Sequence, residues 1–408
     1  MRITAIETLT LAEFPHLLWL RIHADGGLIG TGETFWAPAP VASYLHESAA
    51  PYLIGKDPRD IALHDRMLGS VYVGARDSGA EVRGNSAVNI ALWDIYGQVL
   101  GEPLWRLLGG RTQAGVPVYN TCAGYAHVRA SKRNALFERG EDWSLKAGDM
   151  AEGPYEDLLA WRFDAGKLAK SLLSEGVRAM KIWPFDVAAE ASNGTRISLP
   201  DLDRALEPFR QIRDAVGREM EIMVELHGLW TLPPALRIAE ALKPFDVAWL
   251  EEPIRFNELD ALAELARHTP IPIAASERLA TAQVFRQLIE KRAASVIMID
   301  LAWCGGISEA RKIAALAESA ELPVTLHDCT GPFVYAASCA LSTALPHASW
   351  QETVRAYTSG WYREIVEALP EVREGRVYPL DAPGLGLSLR QELWEREDAT
   401  VRITGRTT

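Results

Sequence analysis

The sequence predicts an α/β chain, a TIM-type barrel preceded by a smaller α+β domain. Three observations predict it. Eight short apolar runs read as strands, at 116–120, 178–183, 221–225, 247–251, 272–276, 295–300, 323–327 and 349–352. Helical stretches separate most of them, for example 201–216, 232–242, 258–267 and 307–318. Ionisable residues stand at the ends of successive runs, and the C-terminal rim of a parallel barrel is where active sites sit. Eight parallel strands alternating with helices argue for a closed barrel.

Ahead of the barrel the texture differs. Residues 2–11 and 18–24 alternate as strands, Asp25-Gly26-Gly27 makes a turn, and 28–34 continues the meander. A helical stretch covers 41–53. Another covers 86–100, with Val88, Leu92, Ile95 and Val99 at helical spacing, and Gly101 and Pro103 end it. These observations divide the chain into 1–115, a barrel over 116–360, and a final segment over 361–408. That last segment holds the turn Pro383-Gly384-Leu385-Gly386 and a strand-like run at 400–404, so it is expected to return to the first domain. The polar stretch 126–160 breaks the repeat after the first barrel strand and reads as a lid or a surface excursion.

Bulk properties exclude several classes. At 408 residues the chain is too long for one ordinary core. Charged residues are 24% and hydrophobic ones 48%, the balance of a globular enzyme. A net charge of −12 argues against a nucleic-acid partner. No run approaches the ~20 apolar residues of a membrane span. The N-terminus lacks the apolar core of a signal peptide. Cys122, Cys304, Cys329 and Cys339 form no CxxC pair, which points to reduced thiols and a cytoplasmic location.

Glu225, Glu251 and Glu277 each close a strand-like run, and each is 26 residues from the next. Equal spacing in a β-then-α repeat stacks three carboxylates at one end of neighbouring strands. They would repel without a cation, and a hard divalent metal, Mg²⁺, is the economical answer. Asp300, His327 and Glu352 continue the ladder, and Lys181 begins it. A carbon acid beside a carboxylate is hard to deprotonate, and a metal on that carboxylate stabilises the enediolate. His327, oriented by Asp300, then serves as base. A protonated Glu352 could hydrogen-bond the enediolate oxygen. Lys181 adds positive charge beside the substrate carboxylate. His227, two residues past Glu225, could protonate a leaving hydroxyl.

Further motifs carry a resemblance. They are Ile90-Ala91-Leu92-Trp93-Asp94-Ile95, Gly101-Glu102-Pro103, Leu107-Leu108-Gly109-Gly110, Trp249-Leu250-Glu251-Glu252-Pro253, Ser276-Glu277-Arg278, Gly305-Gly306-Ile307 and Pro383-Gly384-Leu385-Gly386. Together they make the chain resemble, end to end, the mandelate racemase subgroup of the enolase superfamily. A Lys or His base working with Mg²⁺ is a general property of that superfamily. The resemblance implies an α+β capping domain over a modified (β/α)7β barrel. It implies Mg²⁺ on Glu225, Glu251 and Glu277, a base dyad of His327 and Asp300, and Glu352 as electrophile. It also favours a homo-oligomer. Glu225-Leu226-His227 looks most like the galactonate dehydratase branch, in which the first ligand is Asp and a His two residues on is the general acid. Racemases of the subgroup place a second lysine where Trp183 stands, so β-elimination of water from a sugar acid is favoured over two-base racemisation.

The remaining readings are alternatives. A racemase, epimerase or cycloisomerase of a carboxylate substrate is the second function, and a non-enzymatic binder the third. Trp183 is expected to wall the substrate pocket, and Trp36 either lines it from the cap or packs. Arg83 is a candidate contact for an anionic substrate that spacing does not demand. Glu252 supports the ligands from behind. The other seven histidines, His16 among them, fit no position in the ladder.

Overall fold

The computed structural model describes residues 1–71, 74–75, 78–125, 127–128 and 155–406. Most of the 126–160 excursion lies outside the described residues. The chain opens with three antiparallel strands, β1 (Ile3–Leu11), β2 (Leu17–Ala24) and β3 (Ile29–Phe35). Gly26 and Gly27, at φ 80° and 78°, turn β2 into β3 in a region that disfavours side chains. Helix α1 (Gly79–Leu100) packs across β3. A Cβ on Gly30 or Gly32 would collide with the carbonyls of Ala91 and Ala87, so the approach needs glycine. The helix starts ahead of the 86–100 stretch that periodicity marks. Ser78-Gly79 looks like a turn in sequence, but Ser78 is an extended N-cap (φ −161°) and Gly79 begins the helix.

All eight expected barrel strands form. They are β4 (Val116–Thr121), β5 (Ala179–Ile182), β6 (Glu221–Glu225), β7 (Trp249–Glu251), β8 (Ile273–Ala275), β9 (Val296–Ile299), β10 (Val324–Leu326) and β11 (Ala348–Thr353). Each pairs in parallel with the next, and β11 closes on β4 with Glu352 opposite Tyr119. The strands are buried on both faces, which is why they read as apolar runs rather than alternations. Tyr119, Met223, Trp249 and Met298 belong to one buried cluster that fills the interior. Side chains alternate along a strand. Glu225 therefore shares a face with Met223, and Glu251 with Trp249, one layer nearer the C-terminal mouth.

Helices α2 (Asp157–Ser174), α3 (Asp186–Ser192), α4 (Leu199–Val216), α5 (Leu232–Leu242), α6 (Leu259–His268), α7 (Ala282–Glu290), α8 (Ile307–Ser319) and α9 (Pro332–Ala344) fill the connections. After β11 the described residues form short helical segments at Tyr357–Trp361, Tyr362–Ile365 and Gln391–Glu395 but no long barrel helix, so the barrel is (β/α)7β. The chain then forms a hairpin, β12 (Glu371–Arg373) and β13 (Arg376–Tyr378), beside β4. Finally β14 (Ala399–Gly405) joins the cap sheet in the order β14-β1-β2-β3.

Two buried carboxylates fasten these parts. Asp94 on α1 accepts from Thr31 N–H and Leu385 N–H, both at 2.9 Å, and burial pushes it up to about 6. Glu33 on β3 accepts from Trp19 Nε1 (2.7 Å) and from the Phe333 and Val334 N–H groups (3.2 and 3.1 Å) in the first turn of α9. Free N–H groups at a helix start are natural carboxylate partners. Burial nevertheless pushes Glu33 up to about 8. Cys122, Cys304, Cys329 and Cys339 are free thiols. Among the described residues no helix is long and apolar enough to cross a membrane.

Candidate active site

The mouth of the barrel gathers every rung of the ladder. Lys181, on the second barrel strand, is buried. It donates to Glu251 Oε1, and its Nζ lies 2.8 Å from Glu352 Oε1 and 3.6 Å from Glu225 Oε2. Burial works against its charge, but Glu251 and Glu352 hold its pKa well above the usual lysine value. The ammonium that the sequence places beside the substrate carboxylate faces three of the protein's own carboxylates. Losing it would leave those carboxylates facing one another, at a cost on the order of 3–5 kcal/mol.

Glu225 Oε1 accepts from the Leu226 and His227 N–H groups at 3.0 and 2.6 Å. Glu251 Oε2 accepts from Trp249 Nε1 at 3.0 Å. Glu277 pairs with Arg278 Nε at 3.3 Å through Oε1, while its Oε2 is buried without a hydrogen-bond partner. Burial raises the pKa of Glu225 and Glu251. It also pushes on Glu277, but the His327 and Arg278 charges bring that carboxyl below its usual value. Three carboxylates on neighbouring strands, one with an orphaned oxygen, form a hard donor set that fits Mg²⁺. Glu252 is buried at φ 42°; the strand has ended at Glu251, so its side chain turns toward Ser276 and Glu277, and burial raises its pKa strongly. A second group, His327, Cys329 and Glu352, brings donor atoms within 4.8 Å of one another. Its imidazole and thiol suit softer metals than Mg²⁺.

On the seventh strand's end, His327 Nδ1 lies 2.6 Å from Asp300 Oδ2. Its Nε2 is 3.9 Å from Glu352 Oε2, and its ring packs 5.4 Å from that of Trp303. Burial disfavours the imidazolium, yet the Glu352 charge and the Asp300 bond raise its pKa well above normal. Glu352 also accepts from Thr121 Oγ1 and from Asp328 N–H (2.8 Å). Burial pushes Glu352 up, but Lys181 and His327 hold it below the usual carboxylate range. In both of these hydrogen bonds Glu352 is the acceptor.

His227 sits just past the third strand in the left-handed region (φ 49°), followed by Gly228 at 65°. Its Nδ1 lies 2.6 Å from Asp186 Oδ2. Asp186, at the start of α3, escaped the sequence reading, because no ladder position marks a residue in a strand-to-helix connection. Trp183 is buried, with ring centroids 5.7 Å from Trp161 and 5.9 Å from His227. Trp36 is half-buried at φ 74°, with its ring centroid 4.4 Å from that of His16 and the two planes tilted by 44°. Trp303, also missed, donates from Nε1 to Phe35 O (3.2 Å) and ties the cap to the loop after β9.

Three carboxylates, a His–Asp pair and a carboxylate–lysine pair meet at one barrel mouth, the rim where enzymes of this architecture carry their active sites. Comparison with known proteins makes the assignment specific. Residues 4–109 match the mandelate racemase / muconate lactonizing enzyme N-terminal domain, and residues 164–393 match the enolase C-terminal domain-like family. The chain belongs to the mandelate racemase subgroup of the enolase superfamily. It is 28% identical over 389 residues to D-xylonate dehydratase of Haloferax volcanii, covering 95% of this chain and 86% of that one. It is 30% identical over 406 residues to D-galactonate dehydratase of Ralstonia nicotianae, covering 96% and 93%. Among solved structures, a mandelate racemase subgroup enolase from Agrobacterium tumefaciens is 44% identical, with TM-score 0.85 and 99% of both chains covered. An enolase protein from the Sargasso Sea environmental genome is 42% identical, with TM-score 0.87 and the same coverage.

Proposed function

We propose that the chain is a Mg²⁺-dependent sugar-acid dehydratase that gives a 2-keto-3-deoxy acid. The observation that carries this is the presence of two His–Asp pairs on opposed walls. Asp186 and His227 follow the second and third barrel strands, and Asp300 and His327 end the sixth and seventh. In an eight-stranded barrel those positions are half a turn apart. An α-proton can leave toward one wall and a β-hydroxyl toward the other.

Glu225, Glu251 and Glu277 would hold the metal, which when bound supplies a fixed positive charge at the substrate carboxylate. In its neutral form His327 takes the proton from C2 at Nε2, and Asp300 holds the ring from behind. Lys181, paired with Glu352, sets a positive charge where negative charge accumulates. His227 gives its proton to the C3 hydroxyl, which departs as water. The resulting enol tautomerises to the 2-keto acid. Trp183 offers an indole with no basic atom at the position where a second base would favour racemisation. The dehydratases named above support the same reaction class.

The test is incubation with Mg²⁺ and a panel of aldonic and aldaric acids, scored for 2-keto acid. Exchange of the α-proton across the panel without elimination would overturn the proposal in favour of an isomerase.

A further inference from the structure

The mechanism leaves one charged group without a task. Arg83 lies near the start of α1. That helix docks with Ala91 on Gly30 and Ala87 on Gly32, which brings Arg83, one turn earlier, level with the end of β3. The end of β3 touches the barrel mouth: Thr34 Oγ1 donates to Ala302 O at 3.1 Å, and Phe35 O receives Trp303 Nε1. The Arg83 guanidinium carbon lies 5.5 Å from the Trp303 ring centroid. Trp303 in turn packs against His327. One indole therefore spaces Arg83 from the base.

Arg83 is half-buried, and the carboxylate whose charge it feels, Asp300, makes no ion pair with it. Burial lowers its pKa, Asp300 acts the other way, and the charge of Arg278 adds to the lowering. No carboxylate among the described residues forms an ion pair with it. A partly desolvated guanidinium without an anion is costly. Arg278, which follows β8, is engaged elsewhere, because its Nε lies 3.3 Å from Glu277 Oε1. A guanidinium fork matches a carboxylate geometrically.

We propose that Arg83 provides a subsite for a second, distal carboxylate, so that the substrate is a dicarboxylic sugar acid rather than an aldonic acid. The inference rests on the proposed dehydratase for which end of the substrate reacts. An extended six-carbon diacid spans roughly 6 Å between carboxyl carbons at ~1.5 Å per bond, a length compatible with one indole as spacer. A terminal hydroxyl would leave the guanidinium uncompensated.

The experiment uses the Mg²⁺-loaded full chain and matched six-carbon aldonic and aldaric acids of the same configuration. Calorimetric binding and 2-keto acid formation are measured separately. The diacid is expected to bind about 10- to 100-fold more tightly, the range for a charge-assisted pair. Arg83→Gln is expected to shrink that ratio at least tenfold, and Arg83→Lys to restore part of it. A wild-type ratio within threefold, or a ratio unmoved by Arg83→Gln in a variant that melts normally, overturns the subsite. If the variant does not fold, the wild-type ratio decides. A diacid preference that responds to Arg83 without any elimination upholds the subsite and sinks the dehydratase. Equal elimination of both acids does the reverse.

Discussion

Two histidines in this protein have the same kind of partner and opposite surroundings. His327 and Asp300 are 10% and 0% exposed, and the imidazole has a carboxylate and an indole against it. His227 and Asp186 are 31% and 2% exposed, and the histidine stands on a left-handed turn. Both imidazole–carboxylate bonds are 2.6 Å long. The difference lies in access to water. A group that strips a proton from carbon works best where water does not compete for it. A group that hands over a proton and releases water must recover that proton from solvent. The burial of each pair suits the task proposed for it.

The largest break in this comparison comes from His327→Asn. It should lower both elimination and α-proton exchange by about 10³-fold or more, near the upper range of general-base effects. Mass spectrometry of recovered substrate in deuterated water reads the exchange. His227→Asn should lower elimination about 10²-fold while exchange continues. A parallel fall in both would mean that the two walls do not divide the work.

The carboxylates sharpen the contrast further. Asp300→Asn should cost more activity than Asp186→Asn, for which about a tenfold loss is expected, because a buried imidazolium depends more on its partner than a hydrated one. Equal losses in kcat for the two variants would remove burial as the distinguishing factor.

The smallest effect concerns stability and lies in the cap. Glu33 has its folded pKa raised to about 8 from 4.5. The folded state therefore holds a proton that the unfolded chain releases between those values, and stability falls as pH rises from the lower to the upper. Glu33→Gln should flatten that fall, leaving a smaller loss of Tm between about pH 6 and pH 8 than in the wild type. An unchanged slope in thermal melts at several pH values would show that Glu33 is not the group responsible.

Much of the site was legible because a barrel imposes a period. Glu225, Glu251 and Glu277 announce themselves by equal spacing, and Asp300, His327 and Glu352 follow at nearly the same pitch. What spacing cannot carry is distance across the barrel. Spacing marks Lys181 as a rung, but not that its ammonium reaches Glu352 on the eighth strand, 171 positions away (352 − 181). Asp186 sits in a connection, where no period exists to mark it. Trp303 and Glu33 matter through cap-to-barrel contacts, and those join segments that share no local pattern. The early start of α1 was hidden for a local reason, since Ser78-Gly79 has the chemistry of a turn and of a helix start alike.

The closing strand of the cap carries a consequence for synthesis. β14 pairs with β1, and Gly405 lies opposite Ala5. The ribosome makes one partner of this ladder almost four hundred residues before the other. Until β14 emerges, the outer edge of β1 offers a row of unsatisfied N–H and C=O groups, the kind of edge that recruits stray strands. The barrel's connections, by contrast, are largely local and can form as each unit appears. A nascent chain would thus hold a nearly finished barrel beneath a cap whose border is still open, and that interval is when this protein is most exposed to aggregation.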